Sequence, residues 1–438
     1  MQPFTTCEGA VSFPSSAYRN AMSAIDDRTS SLTREAAEER DRGDPLAGFR
    51  TRFTTDAAQR VYMDGNSLGR QPLATSEVIN AAMQAWREDL IIAWREWIRV
   101  PTRLGDRLAT SVLEARPGEV VFGDSTTVNL YKAATAAIAA QAGRRTILTS
   151  DDHFPTDLYV LQSVASAHGL KLLVLPADPV HSVDTELLSR HLGSDVALVC
   201  LSHVAYRSGA LLDMEAITRN AHDVGALALW DVSHSVGSVR VPLESSGADL
   251  AVGCSYKYLN GGPGAPSFVY VRQAQQARLR QPIWGWFGHR DQFEMSAEFV
   301  PAEGIASFLA GAPAILSTLA IEPGIDLLAE AGIDRLQTKG QQLTDFLIRL
   351  SDEWLTPLGF TLVSPRDARC RGSHVTLKHP KAKDVVRGLI ANGVIPDYRP
   401  PDMIRFGPAP LYTRFTAVWD AMDRLRRLCE AKPELREV

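Results

Sequence analysis

No uninterrupted apolar run in this 438-residue sequence approaches the roughly 20 residues that a bilayer-spanning helix needs, so no membrane partner is expected. Cysteine is scarce: Cys7, Cys200, Cys254, Cys370 and Cys429 are odd in number, dispersed and never spaced as CxxC. That pattern argues against a disulfide framework or a zinc site, so a reducing compartment is expected and a metal is not. There is little charge imbalance. A net charge of −5 over this length gives no reason to expect nucleic acid or an anionic membrane as a partner. A small anionic ligand is not excluded, because a mildly acidic protein can be basic locally. The first residues, MQPFTTCEGAVSFPSSAYRN, lack a basic segment followed by an apolar one. No signal peptide is read there, and a cytoplasmic location is expected. Internal repeats and low-complexity tracts are also missing.

What is present fits a soluble globular protein, with 45% hydrophobic and 22% charged residues. The length is too great for one core and predicts two domains with an additional N-terminal arm. Residues 1–104 are read as the arm and its helices, 105–330 as a large domain and 331–438 as a small C-terminal one. In the arm, the charged stretch from Thr33 to Arg42 predicts a solvated helix ending near Gly43 and Pro45. Residues 75–98 place Val78, Ala82, Trp86, Leu90, Trp94 and Trp97 near one helical stripe, read as core or subunit interface. From 105 to 310, short apolar runs alternate with amphipathic segments. Strands are predicted at 146–149, 171–175, 196–201, 227–230, 250–252 and 267–271, with helices at 156–168, 184–191 and 214–224. Such alternation predicts an α/β fold whose mostly parallel sheet is covered by helices on both faces. Beyond 330, helical patterns at 331–352, 381–392 and 414–430, with strands around 359–363 and 373–377, predict an α+β domain.

Ligands in parallel sheets bind beyond the carboxyl ends of the strands, so residues just after each strand carry the most information. Asp231 ends the run Leu229-Trp230-Asp231, and His234 follows three residues later. A carboxylate there can hold a pyridinium N–H and make the ring an electron sink, although an aspartate after a strand is by itself more often a helix cap. Lys257 follows the apolar run Leu250-Ala251-Val252 and precedes the glycine-rich Gly261-Gly262-Pro263-Gly264. A lysine carried out of water there suits Schiff-base chemistry. Asp231 and Lys257 lie 26 residues apart, one strand-and-return unit, so both can face one crevice. Upstream, Gly123-Asp124-Ser125-Thr126-Thr127 opens an alanine-rich helix whose free N–H groups and the Thr126 and Thr127 hydroxyls suit a phosphate, or equally a plain cap. Phe154, in Asp152-His153-Phe154-Pro155-Thr156-Asp157, can stack on a ring or pack in the core. Together these runs predict pyridoxal phosphate on Lys257.

Across residues 60 to 425 the sequence resembles kynureninase, a family of fold-type I pyridoxal-phosphate enzymes. The resemblance rests on Tyr62-Met63-Asp64-Gly65-Asn66-Ser67-Leu68-Gly69, Thr127-Val128-Asn129-Leu130, Phe154-Pro155-Thr156-Asp157 and Asp231-Val232-Ser233-His234. It is most specific in Cys254-Ser255-Tyr256-Lys257-Tyr258-Leu259-Asn260 and Gly285-Trp286-Phe287-Gly288-His289, and continues through Ile404-Arg405-Phe406-Gly407-Pro408. It implies a large domain with a seven-stranded, mostly parallel sheet, and a homodimer with shared sites to which the N-terminal helices contribute. Lys257 is then the Schiff-base lysine, Asp231 the pyridinium partner with His234 beside it, Phe154 the stacking ring and Asp157 a neighbour of the phenolic oxygen. Thr126, Thr127, Ser202 and Tyr256 are implied as further cofactor contacts, and Trp286 as a phosphate contact from the other subunit. Arg405 is implied to hold the substrate α-carboxylate, with Ser67 at the substrate and Trp94 lining its aryl end. Ala312 departs from the family pattern, which has a polar Asn or Thr at this cofactor or substrate contact.

The implied reaction is hydrolysis of L-kynurenine to anthranilate and L-alanine, in tryptophan degradation. Tyr256 is the candidate proton donor, and an indole at Trp94, with one donor, predicts preference for the unhydroxylated substrate. Two alternatives are a cysteine desulfurase or selenocysteine lyase, for which Cys370 would be the thiol, and a degenerate pyridoxal-phosphate-binding relative.

Overall fold

The computed structural model describes residues 32–55 and 60–435; the N-terminal run read for a leader, and Cys7 within it, lie outside the described residues. A short strand β1 (Val61–Tyr62) precedes seven strands that form one sheet: β2 (Val120–Phe122), β3 (Thr146–Ser150), β4 (Lys171–Leu175), β5 (Val196–Ser202), β6 (Leu227–Asp231), β7 (Leu250–Gly253) and β8 (Phe268–Val271). Their order is β2-β8-β7-β6-β5-β3-β4. The pairings from β7 through β4 are parallel, and β8 runs antiparallel to both β7 and β2. β5 and β6 are buried at every residue, which is why both read as unbroken apolar runs rather than alternating ones. Each strand predicted for this sheet is present with its ends moved by at most one residue. The three-residue β2 at the sheet edge was not predicted; it is too short to carry a period.

Helices cover the sheet. The helix Thr126–Ala139 is alanine-rich because nine of its residues are buried. Trp230 in β6 is 1% exposed and satisfies its indole by donating to Thr218 Oγ1 at 3.1 Å, in the helix Met214–Asp223. The C-terminal domain carries a four-stranded antiparallel sheet in the order β12-β13-β10-β9, from β9 (Thr361–Leu362), β10 (Val375–Lys378), β12 (Asp397–Arg399) and β13 (Met403–Phe406). The long helices Ile333–Trp354 and Phe415–Ala431 share a core with it. β11 (Val394–Ile395) pairs in parallel with β1, joining the segment before residue 63 to this domain.

Two expectations for the N-terminal region need correction. The stripe at 75–98 is not one helix: the helix Ala74–Asp89 stops at Leu90, whose backbone turns to φ 50°, and short turns carry the chain to a new helix at Val100–Ser111. Only part of the stripe is core within this chain: Ala82 is buried and Trp94 packs on the sheet's apolar cluster, whereas Trp86 and Leu90 are 59% and 63% exposed. The helix at Arg34–Arg42 is capped by Thr33 and ends at Gly43 as predicted, but it is not fully solvated: Ala37 is buried in the C-terminal core. Among the described residues, no helix is long and apolar enough to cross a membrane.

Candidate active site

Strands β5, β6 and β7 end side by side, and the loops beyond them bring distant residues together. Ser202 and Asp231 are paired across β5 and β6 at the strand tips. Asp231 is 6% exposed, and its Oδ1 accepts the Ser233 N–H at 2.8 Å, so the turn is capped by one oxygen only. Asp157 enters from the first turn of the helix Pro155–His168 that follows β3. Its Oδ2 is buried and lies 3.1 Å from His153 Nδ1, but out of line for a hydrogen bond, so this oxygen lacks a donor. Burial, and next the charge of Asp157, push the Asp231 carboxyl up to about 6. Two buried carboxylates facing one crevice call for a cationic N–H donor between them.

Lys257 stands four residues beyond the end of β7, with Nζ 3.0 Å from His234 Nε2. His234 is buried, and burial followed by the Lys257 charge holds it well below the usual imidazole range, so it receives the ammonium's hydrogen. Tyr256 is half-buried beside Cys254; that neighbour first and burial second hold its phenol above the ordinary range. The loop is pinned from behind. Gly69 N–H donates to Tyr256 O at 2.8 Å, and a Cβ at Gly69 would fall 2.3 Å from the Lys257 carbonyl oxygen. Phe154 is half-buried and meets Tyr206 edge-on, 5.3 Å between centroids. Thr126 and Thr127 open the helix Thr126–Ala139, with Ser125 as its cap: Ser125 Oγ accepts the Val128 N–H at 3.3 Å.

Arg405, 1% exposed on β13, donates from Nε to Asp397 Oδ2 at 2.7 Å, from Nη1 to the Tyr206 carbonyl at 2.6 Å and from Nη2 to Ser67 Oγ at 3.1 Å. It therefore joins β12, the Tyr206 loop and the Asn66-Ser67 turn at one point. Tyr206, which packs on Phe154, connects this arginine to the aspartate–lysine cluster.

Not every predicted residue lies there. Trp286 is 39% exposed and sits edge-on to Phe287 and Phe293, while Trp94 packs on Phe287 and Trp97. Exposed Ala312 lies two residues beyond Ala310, whose carbonyl accepts the Phe287 N–H at 3.1 Å. Trp94, Trp286 and the segment before Ala312 meet at Phe287. Ser202 Oγ is 3.2 Å from His153 Nδ1, at the aspartate end of the crevice. Asp157 acts electrostatically on Asp231, so the two carboxylates lie at the same end of the crevice. Cys370 is half-buried in the turn Ala368–Cys370, its carbonyl accepting the Leu211 N–H at 2.9 Å. Sequence reasoning missed His153, although it stands inside a run singled out for Phe154. Asp397 gave no signal, because it meets Arg405 across the pairing of two short strands that were not predicted. Asn66 stood in a run singled out for the resemblance, without its contact to Arg405, more than 300 residues away in the chain, being legible.

Comparison with known proteins identifies the family. Residues 336–425 match the kynureninase C-terminal domain family. The chain is 42% identical over 403 residues to a kynureninase of Pseudomonas fluorescens, covering 90% of this chain and 94% of that one. It is 41% identical over 411 residues to a kynureninase of Burkholderia pseudomallei, covering 91% and 96%. Among solved structures, the apo cysteine desulfurase of Thermococcus onnurineus superposes with a TM-score of 0.74 at 19% identity, covering 90% of this chain and 98% of that one. The cystine C-S lyase C-DES, in complex with cysteine persulfide, superposes at 0.72 and 19% identity, covering 84% and 98%. At those identities the structures establish the shared fold, and the sequence relatives establish more: this chain belongs to the kynureninase family.

Proposed function

We propose that this chain hydrolyses L-kynurenine to anthranilate and L-alanine, using pyridoxal 5′-phosphate bound through Lys257. The observation that carries the reading is the convergence of Lys257, the buried Asp231–Asp157 pair and the buried Arg405 at the ends of β5 to β7 and on β13. The residues fit the cofactor. The donor missing at Asp157 Oδ2, and the carboxylate excess around Asp231, are what a protonated ring nitrogen supplies. Lys257 would hold the aldehyde carbon, Phe154 would face the ring, Ser202 and Tyr256 would complete its surround, and the first turn at Thr126 and Thr127 would receive the phosphate. When bound, the cofactor supplies an electron sink conjugated with the substrate's α-carbon.

The protein's own groups do the rest. Arg405 holds the α-carboxylate and so fixes which bond at Cα stands across the ring. Lys257 Nζ would take the Cα proton and return it after the carbon–carbon bond is cut, and His234 at 3.0 Å keeps that nitrogen in place. Asp231 keeps a proton at the ring nitrogen. Water attacks the substrate's γ-carbonyl carbon, the bond to Cβ breaks, and the phenol of Tyr256 protonates Cβ. Its raised affinity for hydrogen keeps it in the donor form at neutral pH.

The site is completed by a second copy of the chain. Trp94, Trp286 and Ala312 lie away from Lys257 within one chain, on a surface that also exposes Trp86, Leu90, Ile91 and Phe293. A homodimer would cover those apolar groups and bring Trp286 of one copy toward the phosphate end of the other. The test is incubation of the purified, cofactor-loaded chain with L-kynurenine, following anthranilate fluorescence. Absence of anthranilate with the lysine-bound cofactor absorbance intact would overturn the reading.

A further inference from the structure

A buried arginine that receives a carboxylate must be left with net positive charge, and the surroundings of Arg405 do not leave it so. Asp397 Oδ2 accepts from Nε of both Arg405 and Arg399, each at 2.7 Å, so one carboxylate is shared by two guanidinium groups. Asp64 is a second carboxylate in the same pocket. It reaches Arg405 through a neutral intermediary: the fully buried Asn66 amide donates to Asp64 Oδ1 at 3.3 Å and accepts from Arg405 Nη2 at 3.3 Å. Asn66 packs tightly against Gly407, where a Cβ would fall 1.9 Å from one terminal atom of its amide. With both acids ionised, two arginines face two carboxylates, and an incoming α-carboxylate adds a third negative charge in a poorly solvated place.

We propose that Asp64, linked to Arg405 through Asn66, is a substrate-affinity residue that takes up one proton from solvent when Arg405 binds the α-carboxylate. The inference rests on the reading of Arg405 as the carboxylate anchor. The charge balance then closes: one anion enters, one proton enters, and Asp397 stays committed to its two arginines. Asp64 suits this role better than Asp397 because its partners, the Ser67 hydroxyl and the Asn66 amide, are neutral. Burial first, and the charge of Asp397 among the other causes, already push its carboxyl up to about 6 in the free site. A bound anion beside it raises that value further. Arg399 on β12 and Arg405 on β13 oppose the rise. Tyr62 on its own segment, Tyr258 from the lysine loop and Tyr412 from the turn after β13 also face it, and burial pushes all three phenols up so that they stay neutral. Arg70 lies over the Tyr62 and Tyr412 rings at 5.5 and 5.6 Å.

The sign follows. KM is flat below the free-site value, rises with pH above about 6 as binding has to supply a proton, and levels off above the bound-site value. For the loaded wild-type enzyme, KM for L-kynurenine is expected to rise about three- to tenfold between about pH 6 and pH 8.5 through this group, while Asp64→Asn removes that rise. Calorimetry of L-alanine binding near pH 7, in two buffers of different ionisation enthalpy, should give a proton count higher in wild type than in Asp64→Asn by up to about one. A measurement on the wild type alone guards against a misfolded variant: ethylamine, which lacks the carboxylate, should show the lower count. Equal proton counts for L-alanine and ethylamine, or an unchanged KM slope in Asp64→Asn, would overturn the proposal. If instead Arg405→Gln leaves KM unaltered, it is the anchor reading that fails.

Discussion

Gly69→Ala tests whether the catalytic lysine is positioned from behind by the Asn66–Gly69 turn. The added Cβ would lie 2.3 Å from the Lys257 carbonyl oxygen, 2.4 Å from Asn260 Oδ1 and 2.8 Å from Asn260 Cα. Two of the three atoms are backbone, so turning the Asn260 amide aside would relieve only one of the contacts. Restoring ordinary contact requires the turn and the lysine loop to part by about 1 Å. Overpacking of this kind costs about 1–3 kcal/mol, and a displacement of about 1 Å at a reacting group costs on the order of 100-fold in rate. The two effects share one cause, so the expected result is a thermal midpoint lower by a few degrees together with kcat reduced by about two orders of magnitude. Anthranilate fluorescence and a melting curve of the loaded enzyme measure both. Gly193→Ala, where nothing lies within 4 Å, is the control for the loss of a glycine as such. A Gly69→Ala enzyme with wild-type stability and kcat within twofold of wild type would refute the positioning argument.

Lys257→Ala should abolish turnover and the visible absorbance of lysine-bound cofactor; an unchanged visible spectrum would remove Lys257 from its assigned role. Asp231 has a folded-state value raised to about 6 against about 4 in an unfolded chain, so its ionised form opposes folding of the cofactor-free protein above pH 6 and ceases to as the pH falls toward 4. Cofactor-free Asp231→Asn should therefore be more stable than wild type near pH 7.5, on the order of 2 kcal/mol by denaturant titration, with the gap closing toward pH 4 and cofactor affinity falling. Equal stability at both pH values would refute this. Ile91→Asp, at a position 76% exposed in the single chain, should convert a dimer to monomer in gel filtration and remove activity with it; a dimeric, active variant would place the interface elsewhere.

The parallel sheet was legible because buried strands such as β5 and β6 write themselves as continuous apolar runs, and their ends fix where ligands bind. Lys257 and Asp231 followed from that rule and from their spacing. The C-terminal sheet was less legible, since strands of two to four residues carry no period. The tryptophan stripe at 75–98 read as helical and apolar, and it is both in part. No sequence pattern says whether such a face meets its own chain or another, because burial belongs to the assembly. The roles of Asp397 and Asn66 were hidden for a different reason. Asp397 meets Arg405 across a strand of three residues, too short to read, and Asn66 stood in a run singled out for the resemblance whose contact with Arg405 spans most of the chain.

The pairing of β1 with β11 sets an order on how the chain can be made. Ala37, Val61 and Met63 belong to a core otherwise built from residues 343 to 435, and Asp41 accepts the backbone N–H groups of Phe415 and Thr416 at 2.7 and 3.2 Å. A ribosome releases the first of these groups more than 300 residues before the last. The seven-stranded sheet can close while synthesis continues, but the N-terminal segment must wait, with apolar side chains uncovered, until the final helix emerges. A chain truncated before Phe415 would therefore lose order at its beginning as well as at its end, and limited proteolysis near residue 60 is where that loss would first be read.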